Sequence, residues 1–451
     1  MANQFVDKEG KVNSLHKPVS RKRQIIAAVI GNTLEWYDFI VYGFMTSIIS
    51  KLFFPADGNE FISLLMATAT FGVGFFMRPV GGVLLGIYAD RKGRKAAMQL
   101  IMAIMALVSL LIACAPPYAA IGIAAPVLIV IARLLQGFAT GGEYASATAF
   151  LVETAPPAQR GLYGSWQLVG QMLAILGGAG MGALITHNLD QGQLESWGWR
   201  LPFLLGLLIA PVGLWIRRYM DETEAFVAAS PEEASDGSLG GQLQRNHRHI
   251  LLTIGLTIPG TAAFYVLLVN MPAYVHRQFG LPLDQAFAIQ MLAVAWMTLL
   301  IPLSGALSDR IGRRPLLLWP YFGLLLLVYP GFSWLAAAPS IERLLVVQLL
   351  FCTMLGLSYG PAPTAMSELF PVKVRSTGVS IGYNLAVMIF GGFAPFIVTW
   401  LAGSTGSPIA PVYYLLLSTA LGVLACYFLP RGRAVTGDDA LPAIPLGQPP
   451  H

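Results

Sequence analysis

The stretch Gly86-Ile-Tyr-Ala-Asp-Arg-Lys-Gly-Arg-Lys95 recurs 219 positions later as Gly305-Ala-Leu-Ser-Asp-Arg-Ile-Gly-Arg-Arg314. Both copies read Gly-x-x-x-Asp-Arg-x-Gly-Arg-Lys/Arg, and each joins one long apolar run to the next. A short basic turn between two apolar runs is typical of a loop between membrane helices, and its recurrence indicates an internal repeat. The sequence therefore predicts a membrane protein built from two similar halves.

The composition also favours a membrane protein. The 451 residues are 55% hydrophobic and 11% charged, whereas soluble domains carry about 25% charged residues. Twelve apolar runs are each long enough to cross a bilayer. They lie at roughly 24–50, 61–89, 95–115, 121–150, 162–186, 200–219, 249–275, 285–307, 315–337, 343–367, 377–401 and 409–429. The prediction is an all-α membrane protein with twelve transmembrane helices in two six-helix bundles.

The basic residues lie mostly on one side of this topology. With the N-terminus in the cytoplasm, 22 of the 28 Lys and Arg fall in cytoplasmic loops and tails, four in outer loops and two within spans. Basic loops stay on the cytoplasmic side of a membrane, so both termini are predicted to be cytoplasmic. The predicted parts are a tail at 1–23, a bundle at 24–220, a linker at 221–247, a second bundle at 248–430 and a tail at 431–451.

Three further motifs accompany the doubled turn: Gly31-Asn-Thr-Leu-Glu-Trp-Tyr-Asp-Phe39, Met77-Arg-Pro-Val-Gly-Gly82 and Arg133-Leu-Leu-Gln-Gly-Phe-Ala-Thr-Gly-Gly-Glu143. The doubled turn resembles the signature of the major facilitator superfamily. Within that superfamily, the three motifs resemble the metabolite:proton symporter family, from about residue 21 to 430. Glu195-Ser-Trp-Gly-Trp-Arg-Leu-Pro-Phe203 and the segments 221–226 and 389–395 are most similar to the citrate and tricarballylate proton symporters.

The resemblance implies the major facilitator fold and a multi-pass location in the cell inner (cytoplasmic) membrane. It also implies transport by alternating access, without enzymatic activity or a cofactor. The expected partners are a small organic acid, a proton and the lipid bilayer. Neither nucleic acid nor nucleotide is expected as a partner, and no oligomer is required. No phosphate-binding loop is visible, and the three cysteines show no disulfide or metal-site spacing.

Of the charged side chains inside the predicted spans of the N-terminal half, four are candidates for the ion chemistry: Glu35, Asp38, Arg78 and Arg133. A charge facing lipid costs about 2.5 kcal/mol or more, so such groups are expected to face partners or a water-filled path. Arg133 is predicted roughly 15 Å into span 4, at 1.5 Å per residue, where a guanidinium can bind a substrate carboxylate. Arg78 is a second substrate-binding candidate.

Glu35 and Asp38 are candidates for proton coupling because they share one helix face. A substrate anion that competes for Arg133 would leave a carboxylate that favours a proton. Substrate and proton would then favour each other's binding. The alternative is that these charges form static ion pairs between helices.

Uncharged polar residues complete the predicted substrate site. Each of them alone is typical of a hydrogen bond between helices, but as a set they suit a polyoxygenated acid. They are Gln136, Gln167, Gln171, Tyr265 and Asn384.

Charged residues next to the repeated turns are candidates for gating. Contacts between these charges and helix ends can hold the inner gate closed, with Glu153 near Arg160 and Glu368 near Arg375 in the same network. The alternative is that the basic turns only set the topology. The gating candidates are Asp90, Arg91, Arg94, Glu153, Arg160, Asp309, Arg310, Arg313, Glu368 and Arg375.

The predicted function is proton-coupled import of a small organic acid, with citrate or a related tricarboxylate first. The alternatives are import of a dicarboxylate, a shikimate-like acid or a zwitterionic osmolyte such as betaine or proline, or export of an aromatic acid. The short polar C-terminal tail disfavours the osmolyte carriers, which often have a long helical extension. The segment Gly356-Leu-Ser-Tyr-Gly360 matches a hydrolase motif, but no strand precedes it.

Overall fold

The computed structural model describes residues 21–56, 59–92, 94–153, 155–208, 211, 246–370 and 375–430, and no strand occurs among them. The first ten helices precede the segment 212–245. They are Arg21–Phe44 (α1), Thr46–Phe53 (α2), Glu60–Lys92 (α3), Arg94–Ala113 (α4), Tyr118–Ile121 (α5), Ala124–Thr140 (α6), Glu143–Glu153 (α7), Arg160–Asn188 (α8), Gln191–Ser196 (α9) and Leu201–Gly206 (α10).

Nine further helices follow that segment, and π-helical turns at Phe264–Val269 and Val387–Gly392 extend two of them. They are His247–Ala263 (α11), Met271–Phe279 (α12), Leu283–Ile311 (α13), Arg313–Ala337 (α14), Ile341–Tyr359 (α15), Ala362–Glu368 (α16), Arg375–Ala386 (α17), Ala394–Thr405 (α18) and Ala410–Phe428 (α19). We call α1–α10 the first half and α11–α19 the second half.

Nine helical stretches of the described residues are long and apolar enough to cross a membrane. The predicted span 24–50 is not among them: it divides at Met45 between α1 and α2, and Asn32, Glu35 and Asp38 make α1 less apolar than the others. The predicted span 95–115 contains a shorter apolar helix, Leu100–Ala113. The predicted span 200–219 begins as α10 and then runs largely outside the described residues, as do the predicted linker and both tails. Twelve spans therefore remain a prediction.

The repeat seen in the sequence extends to breaks in the helices. Predicted span 4 divides at Gly141 into α6 and α7, and predicted span 10 divides at Gly360 into α15 and α16. These two glycines are 219 positions apart, the same offset that relates the two signature turns. The two halves thus interrupt equivalent helices at equivalent positions.

Helices α3 and α6 approach each other through glycines. A Cβ atom added to Gly137 would collide with the backbone carbonyl of Gly74, and one added to Gly81 would collide with that of Phe138. The absence of a side chain at these positions lets the two backbones touch, as in the small-residue interfaces of membrane helices. This contact fixes Arg78 of α3 beside the last turn of α6.

We expect Gly137→Ala to destabilise the protein by about 1–3 kcal/mol, because the new methyl group must displace backbone rather than a flexible side chain. Gly142→Ala is the matched control, since a Cβ there would lie 3.9 Å from the nearest atom of Gly82. The measurement is the thermal unfolding temperature of the purified protein in detergent. Equal unfolding temperatures for the two variants would contradict the close approach of α3 and α6.

Candidate functional site

A cavity lies between the two halves at the centre of the helical bundle. Its volume is about 50 Å³, whereas pockets that bury a small ligand measure about 300–1,000 Å³. Nearly half of the residues that line it are aromatic. The aromatic residues are Trp36, Tyr144, Phe264, Tyr265, Tyr321, Tyr359 and Tyr383.

The polar groups of the cavity wall are few, and two of them have unused hydrogen-bonding atoms. Gln171, Thr257 and Thr261 line the cavity beside the tyrosines. Among the described residues, the Nε2 atom of Gln171 and the hydroxyl of Tyr265 have no hydrogen-bond partner, although both side chains are buried. Buried polar atoms are normally paired, so these two atoms are available to a ligand.

Arg78 lies beside this wall. Its guanidinium carbon lies 5.3 Å from the ring centre of the cavity residue Trp36, and its charge acts on the hydroxyl of Tyr265. Its Nε atom donates to the hydroxyl of Thr140 at 3.1 Å. Its Nη1 atom has no hydrogen-bond partner in the described part of the chain.

Arg133 does not line the cavity, which differs from the sequence-based expectation. Its side chain is 0% exposed and lies among the rings of Phe39, Tyr42 and Phe71, 4.5–4.9 Å from their centres. Its Nη1 atom donates to the Phe39 carbonyl at 3.2 Å. The physical reason for the difference is that ring faces and carbonyls of α1 and α3 enclose the guanidinium.

Asp38, Gln136 and Arg133 form one buried hydrogen-bond network. The Gln136 side chain donates from Nε2 to Asp38 Oδ2 at 2.6 Å and accepts at Oε1 from Arg133 Nη1. The hydroxyl of Ser109 donates to the other carboxylate oxygen of Asp38. Gly206 of α10 lies against this carboxylate, because a Cβ there would collide with Oδ1. The carboxylate thus faces α4, α6 and α10 inside the first half.

The remaining predicted site residues lie elsewhere. Glu35 is buried one turn before Asp38 on α1. The side chain of Gln167 on α8 pairs with that of Asn32 on α1. The backbone carbonyl of Gln167 also accepts from Asn32 Nδ2 at 2.9 Å. Asn384 bridges the two halves by donating to the carbonyl of Gly141 at 2.8 Å. Gln167 and Asn384 therefore hold helices together here and are absent from the cavity wall.

The end of the bundle that carries the second signature turn, here the signature end, is closed by contacts between the halves. Asp309 accepts hydrogen bonds from the backbone N–H groups of Gly161 and Leu162, at 2.8 and 3.1 Å. These groups belong to the first turn of α8, where an acidic side chain is favourable. Arg313 forms ion pairs with both acids: its Nη1 atom lies 2.8 Å from Oδ1 of Asp309, and its Nη2 atom lies 3.1 Å from Oε1 of Glu368.

An ion pair also crosses between the halves at the same end. Glu153 pairs with Arg375 at 3.0 Å, and the Arg160 carbonyl accepts from Thr364 at 3.0 Å. Glu153 therefore pairs with Arg375 and Glu368 pairs with Arg313, rather than each with the arginine that follows it in sequence. For Glu153, packing of the two halves against each other brings Arg375 of the second half close, whereas Glu368 pairs with Arg313 inside the second half.

The other gating candidates contribute less to this contact. Arg310 is exposed. The backbones of Asp90 and Arg91 belong to α3 and that of Arg94 to α4, but their side chains lie outside the described part of the structure.

The opposite end of the bundle is closed by aromatic packing. The Phe44 and Phe287 rings pack edge to face at 5.6 Å across the halves, and His187 lies 3.6 Å from Asp284 nearby. Deeper in the bundle, Tyr265 packs on Phe71 at 5.6 Å. The halves touch at both ends, and the small central cavity agrees with a closed conformation.

Sequence reasoning missed several residues of this site. Ser109 gave no signal, because a serine in an apolar run is common, yet it holds the Asp38 carboxylate. Tyr144, which stacks on Tyr383 across the halves at 3.6 Å, was also missed, as were Tyr321 and Tyr359 of the wall. The spacing of these three tyrosines in the sequence carries no common pattern, because they come from three helices.

Comparisons with known proteins agree with this architecture. The chain matches the description "Major Facilitator Superfamily" over residues 28–381. It is 37% identical over 418 residues to the citrate-proton symporter of Salmonella typhi, covering 92% of this chain and 96% of that protein. It is 37% identical over 441 residues to the alpha-ketoglutarate permease of Escherichia coli K12, covering 96% and 98%.

A third relative and a solved structure extend the comparison. The proline/betaine transporter of Escherichia coli K12 is 32% identical over 413 residues, covering 89% of this chain and 82% of that protein. The crystal structure of a D-xylose-proton symporter superposes with a TM-score of 0.72 over 90% of this chain and 97% of that one. Its sequence identity is 18%, so it supports the fold alone.

A duplicated helical bundle around a central cavity, with ionisable groups buried beside it, defines a membrane transporter rather than an enzyme. The chain belongs to the major facilitator superfamily. It is a multi-pass protein of the inner (cytoplasmic) membrane.

Proposed function

We propose that the protein imports a small organic acid together with a proton, with citrate or a related tricarboxylate as the first candidate. The names of the relatives at 37% identity, a citrate-proton symporter and an alpha-ketoglutarate permease, support an acidic substrate. The observation that carries the proposal is the buried chain of contacts from Asp38 through Gln136 to Arg133, next to a cavity with unused donors.

The substrate carboxylate first meets Arg78, Tyr265 and Gln171, whose unpaired donors lie at or beside the cavity wall. Arg133 lies one aromatic layer behind them. Parting of Phe71 from Tyr265 would open the way to its guanidinium, which has an unpaired Nε atom in the described structure. A fork of N–H donors suits a carboxylate, so Arg133 joins the site as the halves move.

Proton binding at Asp38 is linked to this step through Gln136. A protonated Asp38 has a hydrogen to donate, and Gln136 can accept it only by turning its amide so that Oε1 faces Asp38. This rotation removes the acceptor that now holds Arg133 Nη1. The released guanidinium then favours an anion, so proton and substrate stabilise each other's binding. Glu35, one turn earlier on the same helix, is the alternative proton carrier.

Transport then follows from alternate opening of the two ends. The signature-end contacts of Asp309 and Arg313 and of Glu153 with Arg375 act as the inner gate. Asp90, Arg91 and Arg94 of the first turn are proposed to act in the same way. Two six-helix bundles, twelve spans in all, rock around the cavity with both termini in the cytoplasm.

A zwitterionic osmolyte is the second candidate substrate. The 32% identity to a proline/betaine transporter favours it, and so does the aromatic wall, because aromatic rings bind quaternary ammonium groups. Arg78 beside the wall disfavours it, because a second cation would be repelled there. Competition by betaine against the uptake of labelled acid distinguishes the two candidates.

We expect purified protein in liposomes to accumulate radiolabelled citrate when the outside is made acidic. For one proton per substrate, each pH unit supplies about 1.4 kcal/mol, which is about a tenfold accumulation. The control is the same liposomes with a proton ionophore, which should abolish the accumulation. Citrate uptake that is indifferent to the imposed gradient would contradict proton coupling.

A further inference from the structure

The cavity wall has no charge of its own. None of the residues that line it in the described structure is an Asp, Glu, Lys, Arg or His. Seven of the fifteen are aromatic, and most of the others are aliphatic, glycine or threonine. An ionised group placed against such a wall loses its hydration, and that loss is costly unless a charged or hydrogen-bonding partner replaces it.

Among the described residues, Arg78 is the cation near the wall that has no acidic partner. Arg78 donates to Thr140 and has an unpaired Nη1 atom, and the salt bridges of the described residues do not include it. Arg133 is linked to the Asp38 carboxylate through Gln136. Arg313 and Arg375 at the signature end are paired with carboxylates.

The unused donors near Arg78 suit a single carboxylate. The Nη1 atom of Arg78, the hydroxyl of Tyr265 and the Nε2 atom of Gln171 are buried, with residue exposures of 2%, 1% and 3%, and they lack partners among the described residues. A carboxylate has two oxygens with about four acceptor positions. These donors supply enough hydrogens for one carboxylate, and Arg78 is the one charged group among them, so a second carboxylate would have no cation beside it there.

We propose that this cavity admits one ionised carboxylate per substrate molecule, and that any further acid groups enter uncharged. The inference rests on the proposed function and narrows it: citrate would be bound as its singly charged form. The aromatic wall then holds the uncharged remainder of the molecule by contact with its rings. If citrate entered with three charges, two of its carboxylates would lie against the aromatic rings of the wall without a charged partner.

The test compares citrate with its diamide that keeps the central carboxylate. An amide has nearly the shape of a carboxylate but no charge, so the pair isolates charge from size. Binding to the full-length protein in detergent is measured by isothermal calorimetry at pH 8, where citrate is fully ionised. We expect the diamide to bind more tightly than citrate at pH 8, by about tenfold or more. Citrate would bury two carboxylates without a cation beside them, and each unpaired buried charge lowers the binding affinity. At pH 5 citrate gains protons, and the difference should shrink.

A variant with a second cation provides the converse test. Gln171→Lys adds a charge to the cavity wall and should raise the affinity for citrate relative to the diamide at pH 8. Gln191→Lys is the matched control, because Gln191 lies on the exposed face of α9 at the periphery. It should leave the ratio of the two affinities unchanged.

Each outcome bears on one proposal or the other. Citrate that binds at pH 8 as tightly as the diamide, or more tightly, overturns the single-charge inference even if uptake is proton-coupled. The binding affinities of 2-oxoglutarate and its monoamide are measured in parallel. This second pair tests the single-charge inference even if the substrate is an acid other than citrate. Absence of binding by every compound overturns the inference, whereas binding without gradient-driven uptake contradicts only the proposed function.

Discussion

Asp38→Asn is expected to abolish accumulation of substrate against its gradient while leaving exchange of substrate across the membrane. The asparagine keeps the shape of the side chain and can accept from Gln136, but it cannot take up a proton. The accumulation ratio under a gradient of one pH unit should fall from about ten to about one. Counterflow of labelled substrate into liposomes preloaded with unlabelled substrate should persist.

The position of the carboxylate is the reason for this expectation. Asp38 is 1% exposed and accepts from Ser109 and Gln136 rather than from a cation directly. A buried carboxylate held only by neutral donors can exchange its proton without breaking an ion pair, and protonation of such a group changes the hydrogen-bond pattern of its neighbours. Here the affected neighbour is Gln136, which also holds Arg133.

Two further carboxylates serve as comparisons. Glu35→Gln tests the alternative carrier on the same helix, and loss of accumulation in that variant alone would move the proton site to Glu35. Glu195→Gln is the control, because Glu195 lies in α9 and pairs at 3.6 Å with the exposed Lys51. Full accumulation by the Asp38→Asn variant would exclude Asp38 as the proton carrier.

The sequence predicted the local parts of this site well. The spacing of Arg133 and Gln136 places them on one face of α6, and the structure joins them by a hydrogen bond. Burial of Asp38 follows from its place in an apolar run. The sequence could not show that Arg78, rather than Arg133, borders the cavity, because the choice between the two arginines depends on how α3 is rotated against α6. Glycines at the contact of the two helices let their backbones approach closely in this orientation.

Contacts between the halves were harder to predict than the halves themselves. The doubled signature indicated two similar bundles, and the equal offset of Gly141 and Gly360 extends that repeat to the helix breaks. The pairing of Glu153 with Arg375 joins residues 222 positions apart. No local sequence pattern predicts a contact between residues so far apart in the chain. The contact depends on how the two bundles pack against each other, and sequence periodicity gives no information on that packing.

Arg133→Ala is expected to reduce uptake by about 100-fold or more while folded protein remains in the membrane. The substitution removes charge-assisted hydrogen bonds, each worth about 1.5–3 kcal/mol, and leaves Gln136 without its present donor. It also removes the positive charge that favours a substrate anion. The measurement is the initial rate of citrate uptake, normalised to the amount of protein that elutes as a single species in detergent. Arg133→Lys keeps the positive charge but lacks the planar guanidinium that binds a carboxylate through two N–H groups, so this variant should retain partial activity.

A double variant separates a shared network from two independent effects. If Arg133 and Asp38 act through Gln136 as one unit, the Arg133→Ala/Asp38→Asn variant should lose little more than the worse single variant, because coupled residues are not additive. If the arginine only holds α1, α3 and α6 together, the losses should multiply, and the unfolding temperature should fall with the rate. Uptake at the wild-type rate in Arg133→Ala would show that this buried guanidinium has no part in binding the acid, and Arg78 would then be the cation on which substrate recognition depends.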